Sequence, residues 1–181
     1  MPLSKTLANF LLFQLGWFAC VLGGAGQWHW VGTMVVILIA AWHLSSASDL
    51  SAELKLLVSA LVIGVCWESF LVGTQLLQYG HGQLVSSLAP HWIVAMWVLF
   101  ATTFNVSLRW LKQRWMLAAV LGAVGGPMAF LAGQKLDAVV MPNTAQALII
   151  LSVGWMILTP ILVLVSERFD GFRAQTRGET V

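Results

Sequence analysis

One acidic residue stands deep inside an apolar stretch of this chain. Glu68 lies in the segment Cys66-Trp67-Glu68-Ser69, within an apolar run over residues 54–77. A carboxyl near the middle of a membrane-spanning helix costs about 2.5–3.5 kcal/mol on insertion scales. Such a residue either serves function, as a proton-carrying or ligand-contacting acid, or orders helix packing through an interhelical hydrogen bond. The sequence leaves both interpretations of Glu68 open.

Helical spacing indicates which residues accompany this acid. The i−4, i+3 and i+7 positions place Gly64, Leu71 and Gln75 on its face, and Gly64 would let another helix approach closely. The first apolar run carries Gln14 and Trp17 at a similar depth. We therefore take Glu68 as the candidate catalytic residue and predict a ligand-binding set of Gln14, Trp17, Trp67, Glu68 and Gln75.

Small residues recur in the apolar run over residues 115–133. Gly122, Gly125 and Gly126 lie there at spacings that bring small residues to two sides of a helix, and such surfaces allow close helix packing. Pro127 lacks an amide hydrogen, so it frees the carbonyl of Ala123 for a cavity or a polar side chain. Asn9 and Asn105 are predicted to hydrogen-bond between helices.

The elements that must position these residues follow from composition. The 181 residues are 59% hydrophobic and 9% charged, with a mean hydropathy of +0.86. A soluble domain carries roughly 25% charged residues, so lipid must cover this chain. The sequence contains no basic run for nucleic acid and no metal, phosphate-loop or CxxC motif. We therefore expect a lipid bilayer around the protein, no nucleic-acid partner, no metal and no cofactor.

Six apolar runs predict an all-α fold, an integral membrane bundle of six transmembrane helices. The runs cover residues 7–22, 30–44, 54–77, 91–107, 115–133 and 144–165, and runs near 20 residues are typical of spanning helices. Residues 1–165 form one domain in this interpretation, and residues 166–181 form a polar cytoplasmic tail.

The basic residues predict the orientation of the bundle. With six spans, eight of the nine Lys and Arg residues fall on one side, and only Lys135 falls on the other. Because Lys and Arg are enriched in cytoplasmic loops, both termini of this multi-pass protein should be cytoplasmic.

Three longer segments resemble a known family. They are NFLLFQLGWF at residues 9–18, LFATTFNVSL at 99–108 and GAVGGP at 122–127. Together they resemble the uncharacterised bacterial inner-membrane family catalogued as domain of unknown function 2878, over residues 9–165. In that family an Asp often stands where this chain has Glu68, which implies that a carboxyl is required. Its members also tend to be encoded beside lipid-modifying enzymes of the cyclopropane-fatty-acid-synthase type. The family brings no established active site.

Three functions remain open from the sequence. The first is binding or processing of a membrane-soluble lipid or fatty-acyl molecule in a cavity near Glu68, and the sequence does not decide whether the protein is an enzyme. The second is a scaffold or accessory subunit that holds a membrane-protein partner. The third is a small carrier coupled to protons through Glu68.

Overall fold

A computed structural model describes residues 3–172 of the 181-residue chain. Over this range the fold is all-α, as predicted, and consists of six α-helices with one short 3-10 helix at Arg109–Leu111. The helices are α1 (Leu3–Gly24), α2 (His29–Ser45), α3 (Leu50–Gly73), α4 (His91–Phe104), α5 (Trp115–Lys135) and α6 (Thr144–Arg168). The described residues contain no strand, only an isolated antiparallel bridge between Gln78 and Val140.

Local chemistry sets several helix ends. Asp49 caps α3 by accepting a hydrogen bond from the Ala52 amide at 3.0 Å, and Asn143 caps α6 by accepting from Gln146 at 3.1 Å; both satisfy amides that lack a partner within the helix. Helix α3 ends at Gly73, and Gln75 follows with a φ of +58°. The expectation that Gln75 continues the helical face of Glu68 is therefore wrong.

Four of the six helices are long and apolar enough to cross a membrane: α1, α3, α5 and α6. The other two, α2 with 17 residues and α4 with 14, are shorter. The outer surface carries large apolar side chains, among them Met116 at 83% exposure and Leu38 at 70%. An exterior of this kind suits lipid rather than water.

Helix α4 lies at the centre of the bundle. It packs against α1, α2, α3 and α6, whereas α5 packs chiefly on α6. Because other helices surround α4, the C-terminal end of this short helix continues into a buried turn, and residues 101–106 are all buried. Irregular backbone is tolerated at such depth where protein covers it.

The helices alternate in direction, so one end of the bundle collects several chain segments. Asn9 near the start of α1 contacts the end of α4, and His43 at the end of α2 contacts Glu53 at the start of α3. We call this the network end, after the polar contacts described below. Helix α6 also ends at the network end, at Arg168, and residues 169–172 fold back onto α3. These residues fall within the predicted tail, whose remainder, 173–181, lies outside the described residues.

Candidate functional site

Glu68 is fully buried in the middle of the bundle and accepts two hydrogen bonds. The indole Nε1 of Trp97 on α4 donates to its Oε1 at 3.1 Å, and the hydroxyl of Tyr79 donates to its Oε2 at 3.2 Å. Neither donor carries a charge. The carboxyl is therefore oriented by helix α4 and the loop after α3, and no basic residue among residues 3–172 pairs with it.

The sequence positions these partners through close backbone approach. The side chain of Trp97 lies directly against Gly64, where a Cβ would clash with the indole ring. This confirms that Gly64 admits a neighbouring helix beside the acid. Tyr79 follows Gln78, which exchanges two backbone hydrogen bonds with Val140, at 2.9 and 2.8 Å. That bridge fastens the loop after α3 over the carboxyl.

A cavity of about 420 Å³ lies between α1 and α5, with α4 and α6 behind it, and Glu68 forms part of its wall. We call it the α1–α5 cavity. Its volume lies within the range of small-molecule sites, roughly 300–1,000 Å³. The lining residues Phe18 on α1 and Leu121 on α5 are exposed on the bundle surface. The cavity therefore reaches the apolar exterior from the side.

The structure brings part of the predicted site together. Gln14, Trp17 and Glu68 all line the α1–α5 cavity, whereas Trp67 and Gln75 do not. Trp67 packs its ring against Gly154 on α6. Gln75 donates from its side chain to the Val72 carbonyl at 3.3 Å in the loop after α3. Their assignment to a ligand site rests on the sequence alone.

Three of the four glycines of α5, Gly122, Gly125 and Gly126, line the cavity but have different surroundings. A Cβ on Gly122 would clash with the Trp155 carbonyl and the Thr159 hydroxyl, and one on Gly126 would clash with the Trp155 ring. A Cβ on Gly125 would meet nothing within 4 Å. Gly122 and Gly126 therefore allow α6 to pack closely, and Gly125 leaves space open.

Two polar atoms in cavity residues have no partner. The Trp155 Nε1 and the Thr159 Oγ1 are buried and make no hydrogen bond within the described part of the chain. Thr159 itself is 3% exposed. A buried donor or acceptor left unpaired costs about 1–3 kcal/mol. Such groups are therefore candidates for contacts to a bound molecule.

Pro127 has the effect that the sequence predicted. The hydroxyl of Ser152 on α6 donates to the Ala123 carbonyl at 2.8 Å, the acceptor that the proline leaves free. Asn9 links α1 to the end of α4, donating to the Thr102 carbonyl at 3.1 Å and accepting from the Ser107 hydroxyl at 2.6 Å. These contacts are interhelical, as proposed for the polar residues of the sequence.

Sequence reasoning missed a second buried acid. Glu53 lies in the first turn of α3 and is fully buried, so Glu68 is not the only acid within a long apolar helix. Its Oε2 contacts His43 Nε2 at 2.9 Å, and its Oε1 accepts from the Asn105 side chain and from the Gly171 amide. The polar composition of residues 45–53 concealed this burial, because the apolar run begins only at Leu54.

Asn105 connects this acid to a cluster of charges. Lys112 donates to the Asn105 side chain at 2.6 Å and to Asp170 at 2.8 Å, and Arg109 forms two contacts with the same carboxylate, at 2.7 and 3.2 Å. Burial acts to raise the pKa of Asp170. The hydrogen bond from Lys112 and the positive charges of Lys112 and Arg109 outweigh it and hold that pKa below its usual value.

The other end of the bundle holds a cluster of aromatic and imidazole rings. His29 Nδ1 lies 2.9 Å from His91 Nε2, the Thr33 hydroxyl lies 2.7 Å from His91 Nδ1, and the Trp30 ring stacks on His91. Across residues 3–172, no group of three or more His, Cys, Asp or Glu side chains has an arrangement that could hold a metal ion.

A comparison with protein families gives one match. The family described as "Protein of unknown function (DUF2878)" matches residues 6–161, which is most of the chain. This confirms the resemblance drawn from the three sequence segments. No curated protein and no solved structure matches the chain.

Proposed function

The chain belongs to the DUF2878 family, and we propose that it is a multi-pass membrane protein that binds a membrane-soluble, lipid-like molecule in the α1–α5 cavity. The observation that carries this proposal is the cavity itself, which is apolar, reaches the lipid-facing surface from the side and contains a buried carboxyl. A molecule dissolved in the bilayer can enter such a cavity without crossing water.

The polar atoms of the cavity support a specific ligand rather than bulk hydrocarbon. A binding site typically combines an apolar lining with a few convergent polar groups that orient the ligand. Here the lining residues Glu68 and Gln14 carry a carboxyl and an amide. Trp155 and Thr159 also line the cavity, and each has a buried polar atom without a partner in the described part of the chain.

The proposal includes the topology. All six helices cross the inner membrane, and both termini lie in the cytoplasm, because eight of the nine Lys and Arg residues belong to the network-end side in this arrangement. Helix α4 rises about 21 Å over its 14 residues, short of a hydrocarbon core of about 30 Å. The neighbouring helices cover the segments that extend from α4 through the rest of the hydrocarbon core.

The test is native mass spectrometry on the protein extracted in lipid discs without detergent. The wild-type protein should carry a small molecule at defined stoichiometry. Replacing Gly125 with Leu fills open space in the cavity, so the bound fraction should fall to about a tenth or less. Val124→Leu is the matched control, because Val124 is the adjacent residue on α5, is 54% exposed and does not line the cavity.

The outcomes separate a ligand-binding protein from a scaffold. A bound molecule that Gly125→Leu removes and Val124→Leu retains supports a ligand site. Wild-type protein without any specific small molecule, but with a co-purifying protein, would contradict the proposal and favour a scaffold. Equal loss from both variants would indicate damage to the fold, and a thermal unfolding scan of each variant checks for that.

A further inference from the structure

In the described part of the chain, the α1–α5 cavity is lined by an acidic residue without a basic one. Its lining contains one ionisable side chain, Glu68, and no Lys, Arg or His among the residues that the structure describes. Within residues 3–172, Tyr79 is the one titratable group in hydrogen-bond contact with this carboxyl, and the partner from α4 is the uncharged Trp97. An anionic ligand would meet no counter-charge in this cavity, and Glu68 in its ionised form would repel it.

The carboxyl retains capacity to bind a ligand. An ionised carboxylate offers about four acceptor positions, and Trp97 and Tyr79 each occupy one, on different oxygens. Both donors are neutral, so they orient the acid without compensating its charge. In an apolar environment, a cation beside an ionised carboxylate stabilises that form, whereas isolation is costly.

Aromatic rings surround the rest of the space. Phe13, Trp17 and Phe18 line the cavity from α1, and Trp97, Phe100 and Trp155 line it from α4 and α6. The rings of Trp97 and Trp155 stack at 4.8 Å between centroids, and the Phe100 ring meets Trp155 edge-on at 5.7 Å. The faces of Trp and Phe rings attract cations, by about 2 kcal/mol or more where water is excluded.

Building on the proposed function, we propose that the molecule bound in the α1–α5 cavity is a lipophilic cation or a cationic amphiphile. Its positive charge lies near the Glu68 carboxylate, and its apolar part lies among the aromatic side chains of α1, α4 and α6. This assignment excludes anionic phospholipid head groups and fatty-acid carboxylates from the cavity.

Three probes of nearly equal shape test the charge preference: tetraphenylphosphonium, the neutral tetraphenylmethane and the anionic tetraphenylborate. Binding is measured by equilibrium dialysis with wild-type protein in lipid discs, and discs without protein give the correction for partitioning into lipid. We expect the phosphonium to bind at least about tenfold more tightly than either analogue. Tetraphenylborate or tetraphenylmethane binding as tightly as the cation, or no binding of the phosphonium at all, would overturn the assignment.

Variants locate the binding. Glu68→Gln keeps the size of the side chain and removes the charge, so phosphonium affinity should fall about tenfold or more, whereas Glu68→Asp should restore most of it. Gly125→Leu should abolish binding and Val124→Leu should not. If Glu68→Gln binds the phosphonium as well as wild type does, the carboxylate has no role in recognition and the assignment is wrong.

The two proposals fail in different ways. A co-purified neutral lipid that Gly125→Leu removes, together with no preference for the phosphonium, would retain the ligand cavity and reject the cation. An absence of any specific small molecule in the wild-type protein, together with probe binding that Gly125→Leu leaves unchanged, would reject both. Thermal unfolding of each variant in the same discs identifies a variant that loses binding only because it is misfolded.

Discussion

Two carboxyls on helix α3 are both fully buried, yet their surroundings differ. Glu53 contacts a histidine, an asparagine and a backbone amide at the network end. The same asparagine, Asn105, also accepts a hydrogen bond from Lys112. Glu68 meets only neutral donors beside a cavity. A buried acid whose acceptor positions are mostly paired suits a structural role, whereas an acid with more acceptor positions free beside a cavity suits binding. We therefore propose that Glu68 serves ligand recognition and that Glu53 stabilises the fold.

Asp170 gives a prediction about pH. Because its pKa in the folded protein is lowered by Lys112 and Arg109, its ion pairs stabilise the fold above the unfolded value of about 3.9. That stability is lost as the pH falls below it, through the folded pKa. Asp170→Asn should lower the free energy of unfolding at neutral pH by about 1.5–3 kcal/mol.

The measurement for this prediction is thermal unfolding in lipid discs at neutral pH and at a series of acidic values. The difference in stability between wild type and Asp170→Asn should shrink as the pH falls, because protonation removes the same charge from the wild-type protein. Asp137, exposed after α5 and free of any ion pair within the described residues, serves as the control through Asp137→Asn. A difference that is constant with pH would show that the ion pairs contribute nothing.

At the residue scale, the sequence identified the acid but not its partners. Glu68 stood out because its cost in an apolar helix is local and can be read from composition. Trp97 and Tyr79 could not be found in this way, since their contacts with it span 29 and 11 residues of sequence and depend on how α4 and the loop pack. Gly64 was the one local signal for the position of Trp97, because only a missing Cβ allows that contact.

At the scale of the element, α5 shows what small residues at regular spacing do and do not determine. The spacing predicted close packing, and Gly122 and Gly126 indeed lie against α6. The spacing could not distinguish Gly125, which opens onto the cavity, because its role depends on the absence of a neighbouring helix. The start of α3 at Leu50 lies before the predicted run over residues 54–77, since an apolar run does not include a polar first turn, whereas α6 begins at Thr144, as the run over residues 144–165 predicted.

The two kinds of glycine on α5 give a matched test. Gly122→Ala places a methyl group against the Trp155 carbonyl, which is backbone and cannot move aside, so α5 and α6 must separate. We expect this variant to lose about 1–3 kcal/mol of stability, the usual cost of overpacking. Gly125→Ala adds the same methyl group in open space and should match or exceed the wild type, since Ala favours helix over Gly by about 1 kcal/mol.

The unfolding temperatures of these two variants in lipid discs provide the comparison. Both substitutions have the same chemistry and lie on the same helix, three residues apart. Equal destabilisation by both would mean that α5 requires glycine for a reason other than contact with α6, and it would remove the basis for using Gly125→Leu as a cavity-filling variant.

At the scale of the whole molecule, the two ends of the bundle carry different polar groups. The network end gathers Lys5, Arg109, Lys112 and the residues after α6, and the histidine cluster lies at the opposite end. Composition alone predicted that most basic residues share one side. It could not predict that two of them, Arg109 and Lys112, form ion pairs with Asp170, because residues 166–172 were assigned to a polar tail on the basis of their charge.

Cysteine labelling in intact cells tests the six-span topology. In a background with Cys20 and Cys66 replaced by Ala, one cysteine is introduced at Ser87, between α3 and α4, or at Gln113, between α4 and α5; both residues are exposed. A membrane-impermeant maleimide should label Ser87→Cys in intact cells, and Gln113→Cys only after the membrane is permeabilised. The physical reason is that the basic residues near Gln113 hold that loop in the cytoplasm.

Because these two positions flank α4, labelling of both in intact cells would show that this 14-residue helix does not cross. The polar network would then face the same compartment as the histidine cluster, and the inner-membrane arrangement proposed for the six helices would have to be abandoned.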